Sequence, residues 1–63
     1  MHVLIAEARA STRAALRALL EHDPLCERVT EATDAQTALA ALSENPDLLL
    51  LDWALPGLPA VAI

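Results

Sequence analysis

The run LLLLDWALPG at residues 48–57 constrains the fold of this chain more than any other stretch. Four successive leucines offer neither the polar side of a surface helix nor the alternation of a half-exposed strand. They suit a strand covered on both faces, as in a parallel sheet flanked by helices. The strand ends on a carboxylate, Asp52, and Trp53, Ala54 and Leu55 lead from it into Pro56-Gly57, a pair that breaks regular structure and marks a turn. An acid at the carboxyl end of a parallel strand occupies the place where open α/β sheets bind ligands and do chemistry, which makes Asp52 the first candidate for function.

The same pattern of apolar strand followed by acid occurs at the start of the chain, where HVLIA at residues 2–6 runs directly into Glu7. Ser11 is then a candidate N-cap for a helix, its hydroxyl accepting from the free amides of the first turn. Ala15, Leu16, Leu19 and Leu20 recur at helical spacing as one apolar stripe, while Arg9, Arg13, Arg17 and Glu21 are spaced by four on another side, as on a solvated face. Asp23-Pro24 ends the helix, because the residue before proline is pushed out of the α region. Residues 27–32 mix charge with Val29 and Thr30 and read as an edge strand, whose charges discourage pairing with other chains. Asp34 caps a second helix with Ala35, Ala38, Leu39 and Leu42 as its buried stripe, and Asn45-Pro46 stops it. After the leucine strand, residues 58–63 read as the start of a third helix with Pro59 in its first turn.

Strand, helix, strand, helix, strand with short links is the pattern of βαβ units and a parallel sheet. The polar strand belongs at the periphery and the two apolar strands side by side, so the expected strand order is 2-1-3. That order puts the two crossovers on opposite faces. A crevice then opens where the chain reverses its winding, between the carboxyl ends of the first and third strands, with Glu7 and Asp52 flanking it. The fold class is α/β and the whole of residues 1–63 is one domain.

Composition narrows the function. A chain of 63 residues buries only roughly 60% of its unfolded surface, so its stability is marginal without help. Cys26 is the only cysteine, which excludes an intrachain disulfide and fits a reducing, cytoplasmic setting. His2, His22 and Cys26 are too few for a closed structural zinc site. A net charge of −5, with no lysine and four arginines, argues against a nucleic-acid partner. The opening residues lack the basic start of a signal peptide, and no apolar run reaches the roughly 20 residues of a membrane span, so no membrane association is expected. Gly57 is the only glycine, which excludes a dinucleotide fingerprint or a phosphate loop.

Two carboxylates at one crevice, Glu7 and Asp52, can hold Mg²⁺, a hard cation that takes carboxylate oxygens, waters and phosphate oxygens together. Beside such a cation Asp52 can act as a nucleophile toward a phosphoryl donor. The residues alone leave open a plainer alternative, that both acids end strands in solvent. Cys26 reads as a small apolar filler, His22 as a favourable charge near a helix carboxyl end, and His2 as a terminal strand residue. Trp53 reads as a packing residue over the crevice mouth or at an interface.

VLIAEA at residues 3–8, STRAALRALL at 11–20, EATDAQTALAAL at 31–42 and LLLLDWALPG together resemble successive blocks of a bacterial response-regulator receiver domain. The resemblance runs through the whole chain and is most specific in the last block. It implies a flavodoxin-like receiver fold, a role in two-component phosphorelay signalling rather than an enzyme's, and a histidine kinase as partner. The position matched by Asp52 accepts the phosphoryl group in that family. The position matched by Ala54 lends its backbone carbonyl to Mg²⁺, and a pair of acids after the first strand, matched by Glu7 and Ala8, completes the metal site.

The chain departs from the family pattern in two ways. A methyl group, Ala8, stands where the second acid is usual, so Mg²⁺ binding is expected to be weak or absent. The resemblance also covers only the amino-terminal half of a receiver domain, without the later strands that carry a Ser/Thr and a Lys in that family. A truncated receiver fold of this kind leaves the outer edge of the leucine strand open, which forfeits roughly 1.5 to 3 kcal/mol for each large aliphatic side chain left in water. A homodimer or domain swap through the third-strand edge is the expected remedy. The alternative function is a phosphorylation-incompetent dimerisation or docking module that keeps only the fold.

Overall fold

The structure, a computed structural model, describes residues 1–58, and the expected third helix falls, apart from Leu58, outside the described residues. Three parallel strands form one sheet in the order β2-β1-β3, with β1 (His2–Ala6) in the centre, β2 (Arg28–Ala32) on one side and β3 (Leu48–Leu51) on the other. Between them run α1 (Ala10–Glu21) and α2 (Ala35–Ala41), the latter prolonged by a 3-10 turn over Leu42–Glu44. This is the arrangement that the alternation of strand and helix signals requires. None of the helices among the described residues is long and apolar enough to cross a membrane.

The core sits on β1, where Val3, Leu4, Ile5 and Ala6 are completely shut off from water. Successive side chains of a strand point to opposite faces. Leu4 and Ala6 join Ala32, Ala35, Ala38 and Leu55 on the α2 side. Val3 and Ile5 therefore face α1, and Glu31, the register partner of Ile5, is indeed held by α1 arginines. The two helices thus cover opposite faces, as the order 2-1-3 implies. At the start of the sheet Asp47 ties β3 to β1: its N–H donates to the His2 carbonyl at 2.7 Å and its carboxylate accepts the His2 N–H at 2.7 Å.

Several details differ from the sequence expectation. Helix α1 starts at Ala10 with Arg9 in the N-cap position, so Ser11 lies inside the first turn and does not cap it. The arginine row is a solvated face only in part: Arg9 stays exposed, whereas Arg13 and Arg17 engage a strand residue. Arg13 Nε donates to Glu31 at 2.9 Å, Arg17 bonds both Glu31 and Glu21, and these two hydrogen bonds, Glu21's foremost, raise the Arg17 pKa further above its usual range. Glu31 lies beneath α1 and draws the arginines inward. The helix is thereby rotated so that Leu16 and Leu20 are half-buried while Ala15 and Leu19 point to solvent.

Asp34 caps α2 as expected, its Oδ1 accepting the Thr37 N–H at 2.7 Å. Only the two alanines of the expected stripe are buried. Leu39 and Leu42 are exposed and instead line an apolar groove of about 350 Å³ between α2 and β3, with Leu49, Leu51, Leu55 and Leu58. Asn45 then takes a left-handed conformation (φ 55°) before Pro46 and ends the helical segment. The leucine strand is not covered on both faces either: Leu48, Leu49 and Leu51 are 41%, 40% and 39% exposed. The helices lie over β1 and β2, and among the described residues no strand pairs with the outer edge of β3.

Candidate functional site

The last register pair of β1 and β3 is Ala6 opposite Leu51, and the next residue on each strand is an acid. The ladder continues through both: the Glu7 N–H donates to the Ala32 carbonyl at 3.0 Å, and the Asp52 N–H donates to the Ala6 carbonyl at 3.0 Å. Glu7 and Asp52 therefore leave adjacent parallel strands, which lie roughly 4.8 Å apart, at the same level of the sheet. Both candidate residues stand at the carboxyl end of the sheet, beside the point where the chain changes winding direction.

Their surroundings differ. Glu7 is only 5% exposed, which is unusual for a carboxylate. Its Oε2 accepts the Arg9 N–H at 2.9 Å and its Oε1 lies 3.8 Å from the Arg9 guanidinium. Below it Arg13 donates to the carbonyls of Glu7 (3.1 Å) and Ala8 (3.4 Å) while gripping Glu31, so one guanidinium fixes the loop between β1 and α1. Asp52 is half-buried and opens a tight turn. Its Oδ1 accepts the Ala54 N–H at 3.0 Å and its carbonyl accepts the Leu55 N–H at 3.0 Å, the local side-chain-to-backbone pattern that favours Asp at turn starts. Among the described residues no hydrogen bond is made to its Oδ2.

The Asp52 turn is anchored to the core. Leu55 is buried, and the Pro56 carbonyl accepts the Ala35 N–H of α2 at 2.8 Å. Gly57 follows at φ 90°, and a Cβ there would come within 3.3 Å of the Ala35 methyl. The positive φ favours glycine, and the close approach leaves a side chain little room. Trp53 is 68% exposed and does not pack over the crevice, and Ala54 is exposed beside it.

The donor set can be weighed against Mg²⁺, which requires near-octahedral oxygen coordination. Ala8 offers a methyl group, Glu7 has both oxygens turned to Arg9, and Asp52 has one oxygen on a backbone amide. The Ala54 carbonyl remains as a single neutral donor. Among the described residues, the protein oxygens here without a partner are thus one carboxylate oxygen of Asp52 and that carbonyl. Sequence reasoning missed Arg9 and Arg13 at this site because their spacing by four fits a solvated helix face equally well. The signal was present in Glu31, a charge inside a strand that needed a cation on the facing helix.

Comparison with family models, with curated proteins and with solved structures finds no match to this chain.

Proposed function

We propose that the chain is a receiver-like module of two-component signalling in which Asp52 takes the phosphoryl group. The observation that carries this reading is the pair of acids leaving adjacent parallel strands at one level, with Asp52 held at the start of a turn by its Oδ1. The other oxygen, Oδ2, forms a bond to phosphorus as the bond from phosphorus to the donor's imidazole nitrogen breaks. The imidazole keeps that electron pair and takes up a proton from solvent. The chain is an acceptor in this exchange and not an enzyme, and the donor is a histidine kinase. A reducing cytoplasm suits both that partner and the free thiol of Cys26.

A second reading is favoured by one observation, the apolar outer edge of β3 with Leu48, Leu49, Leu51 and the neighbouring Trp53 in water. In it the chain is a dimerisation or docking module of receiver-like, flavodoxin-like fold, and a second copy pairs with the β3 edge to extend the sheet. The two readings part at Asp52. Incubation with acetyl phosphate, followed by intact-protein and peptide mass spectrometry, is expected to find one phosphoryl group on Asp52 and none on an Asp52→Asn variant. Its absence from the wild-type chain at saturating acetyl phosphate removes the first reading and leaves the second.

A further inference from the structure

We infer that Arg9 supplies, from within the chain, the positive charge that the crevice presents to a phosphoryl group, so that the site takes an oxyanion without a divalent cation. The inference rests on the acceptor role proposed for Asp52 and adds to it the cation that makes such a site workable. A carboxylate as buried as Glu7 is costly unless paired. Its pairing is complete within three residues: Oε2 receives the Arg9 backbone N–H at 2.9 Å and Oε1 faces the Arg9 guanidinium at 3.8 Å. A metal ion entering here would compete with both contacts, and Ala8 would give it nothing in return.

The Arg9 guanidinium is well suited to the substitute role. Its side chain is 74% exposed, so the group reaches Glu7 at one edge and leaves the rest of its planar fork in solvent at the carboxyl end of the sheet. A guanidinium has five N–H donors in fixed geometry, and the fork matches phosphoryl oxygens in pairs. It exchanges no proton and forms no bond; it offsets the repulsion between Asp52 and the incoming oxyanion, as a metal ion would. Arg13 is less suited to this, because its Nε and Nη1 already donate to Glu31 and to the Glu7 and Ala8 carbonyls and its side chain is only 20% exposed. Its work is to hold the loop from which Arg9 projects.

The test has two independent arms. In the first, the fluorescence of Trp53, the only tryptophan and the neighbour of Asp52, is followed during titration with magnesium chloride. The wild-type chain is expected to give no saturable response, and an Arg9→Ala/Ala8→Asp variant to gain one. A saturable wild-type response in the millimolar range overturns the inference, whatever Asp52 does. In the second arm, the rate of adduct formation from acetyl phosphate is compared in EDTA and in Mg²⁺. Equal rates for the wild type are expected, with a loss of about tenfold or more in Arg9→Ala, the size of one charge-assisted contact, and partial recovery in Arg9→Lys. Adduct that forms only with Mg²⁺, or an Arg9→Ala rate unchanged in EDTA, overturns it. Far-UV circular dichroism of each variant separates these outcomes from loss of fold. Adduct missing under every condition defeats the acceptor role, and the oxyanion half of the inference with it, while the magnesium titration still decides the cation half.

Discussion

Replacing Leu49 by lysine attacks the open edge of the sheet while sparing the core. Leu49 lies opposite Leu4 in the register but is 40% exposed, so a lysine stem can lie along the groove with its ammonium in water. Complete burial of a leucine is worth roughly 1.5 to 3 kcal/mol, and the two-fifths still in water therefore represents about 0.6 to 1.2 kcal/mol per chain. Leu48 and Leu51 are exposed to the same degree, so the three leucines together can give a two-fold dimer about 4 to 7 kcal/mol. Association costs about 4 to 15 kcal/mol in lost freedom, so such a dimer would need the leucines in full and would be weak even with main-chain hydrogen bonds added. Leu49→Lys removes its share on both copies and brings two like charges together. The expected loss is about 1 to 2.5 kcal/mol before repulsion, a weakening of about tenfold or more. Sedimentation velocity over a wide concentration range reads this directly, with circular dichroism as the check on fold. Wild-type and variant chains that both remain monomeric at every concentration would refute the reasoning about the edge.

Other consequences follow from the core and the turns. Leu4→Ala, at a fully buried position of the central strand, is expected to cost about 2 to 5 kcal/mol. A chain this size has only roughly 3 to 9 kcal/mol in all, so a chemical denaturation curve should show most of its native baseline gone. Gly57→Ala forces a side chain into a left-handed position and against the Ala35 methyl, and should lower stability by more than about 1 kcal/mol in the same assay, disturbing the Asp52 turn as well. Asp34 predicts the pH dependence. The Thr37 backbone N–H, and after it the Thr37 side chain, hold its carboxyl below the ordinary aspartate range. Its contribution is therefore complete above that ordinary range. It is lost as pH falls toward the depressed folded value, because the unfolded chain takes up the proton first. Thermal melts between neutral and acid pH should fall less steeply for Asp34→Asn than for the wild type.

Element order and sheet topology were legible because the signals are local and agree with one another. Apolar runs at residues 2–6 and 48–51, a capping aspartate at residue 34 and proline stops after each helix leave few arrangements open. What was not legible depended on contacts between elements. Helix periodicity places Leu16, Leu20, Arg13 and Arg17 on neighbouring sides of α1, and it took the facing Glu31 to decide which side turns inward. Leu39 and Leu42 match the stripe of a buried helix, yet burial needs a third layer over β3, and among the described residues the helices cover only β1 and β2. The site divides in the same way. Glu7 and Asp52 follow from strand order alone, whereas the clasp of Arg9 on Glu7 depends on where α1 begins, and Ser11 had pointed to a later start.

Fluorine NMR of the chain with beryllofluoride, a phosphoryl mimic that bonds to a carboxylate oxygen, reports most directly on whether Asp52 is an acceptor. A bound fluoride resonance should appear with the wild-type chain, vanish in Asp52→Asn and persist, weakened, in Glu7→Gln. A wild-type chain that stays folded and gives only free beryllofluoride, or a resonance that survives Asp52→Asn, would contradict the assignment of Asp52 as the residue that receives the phosphoryl group.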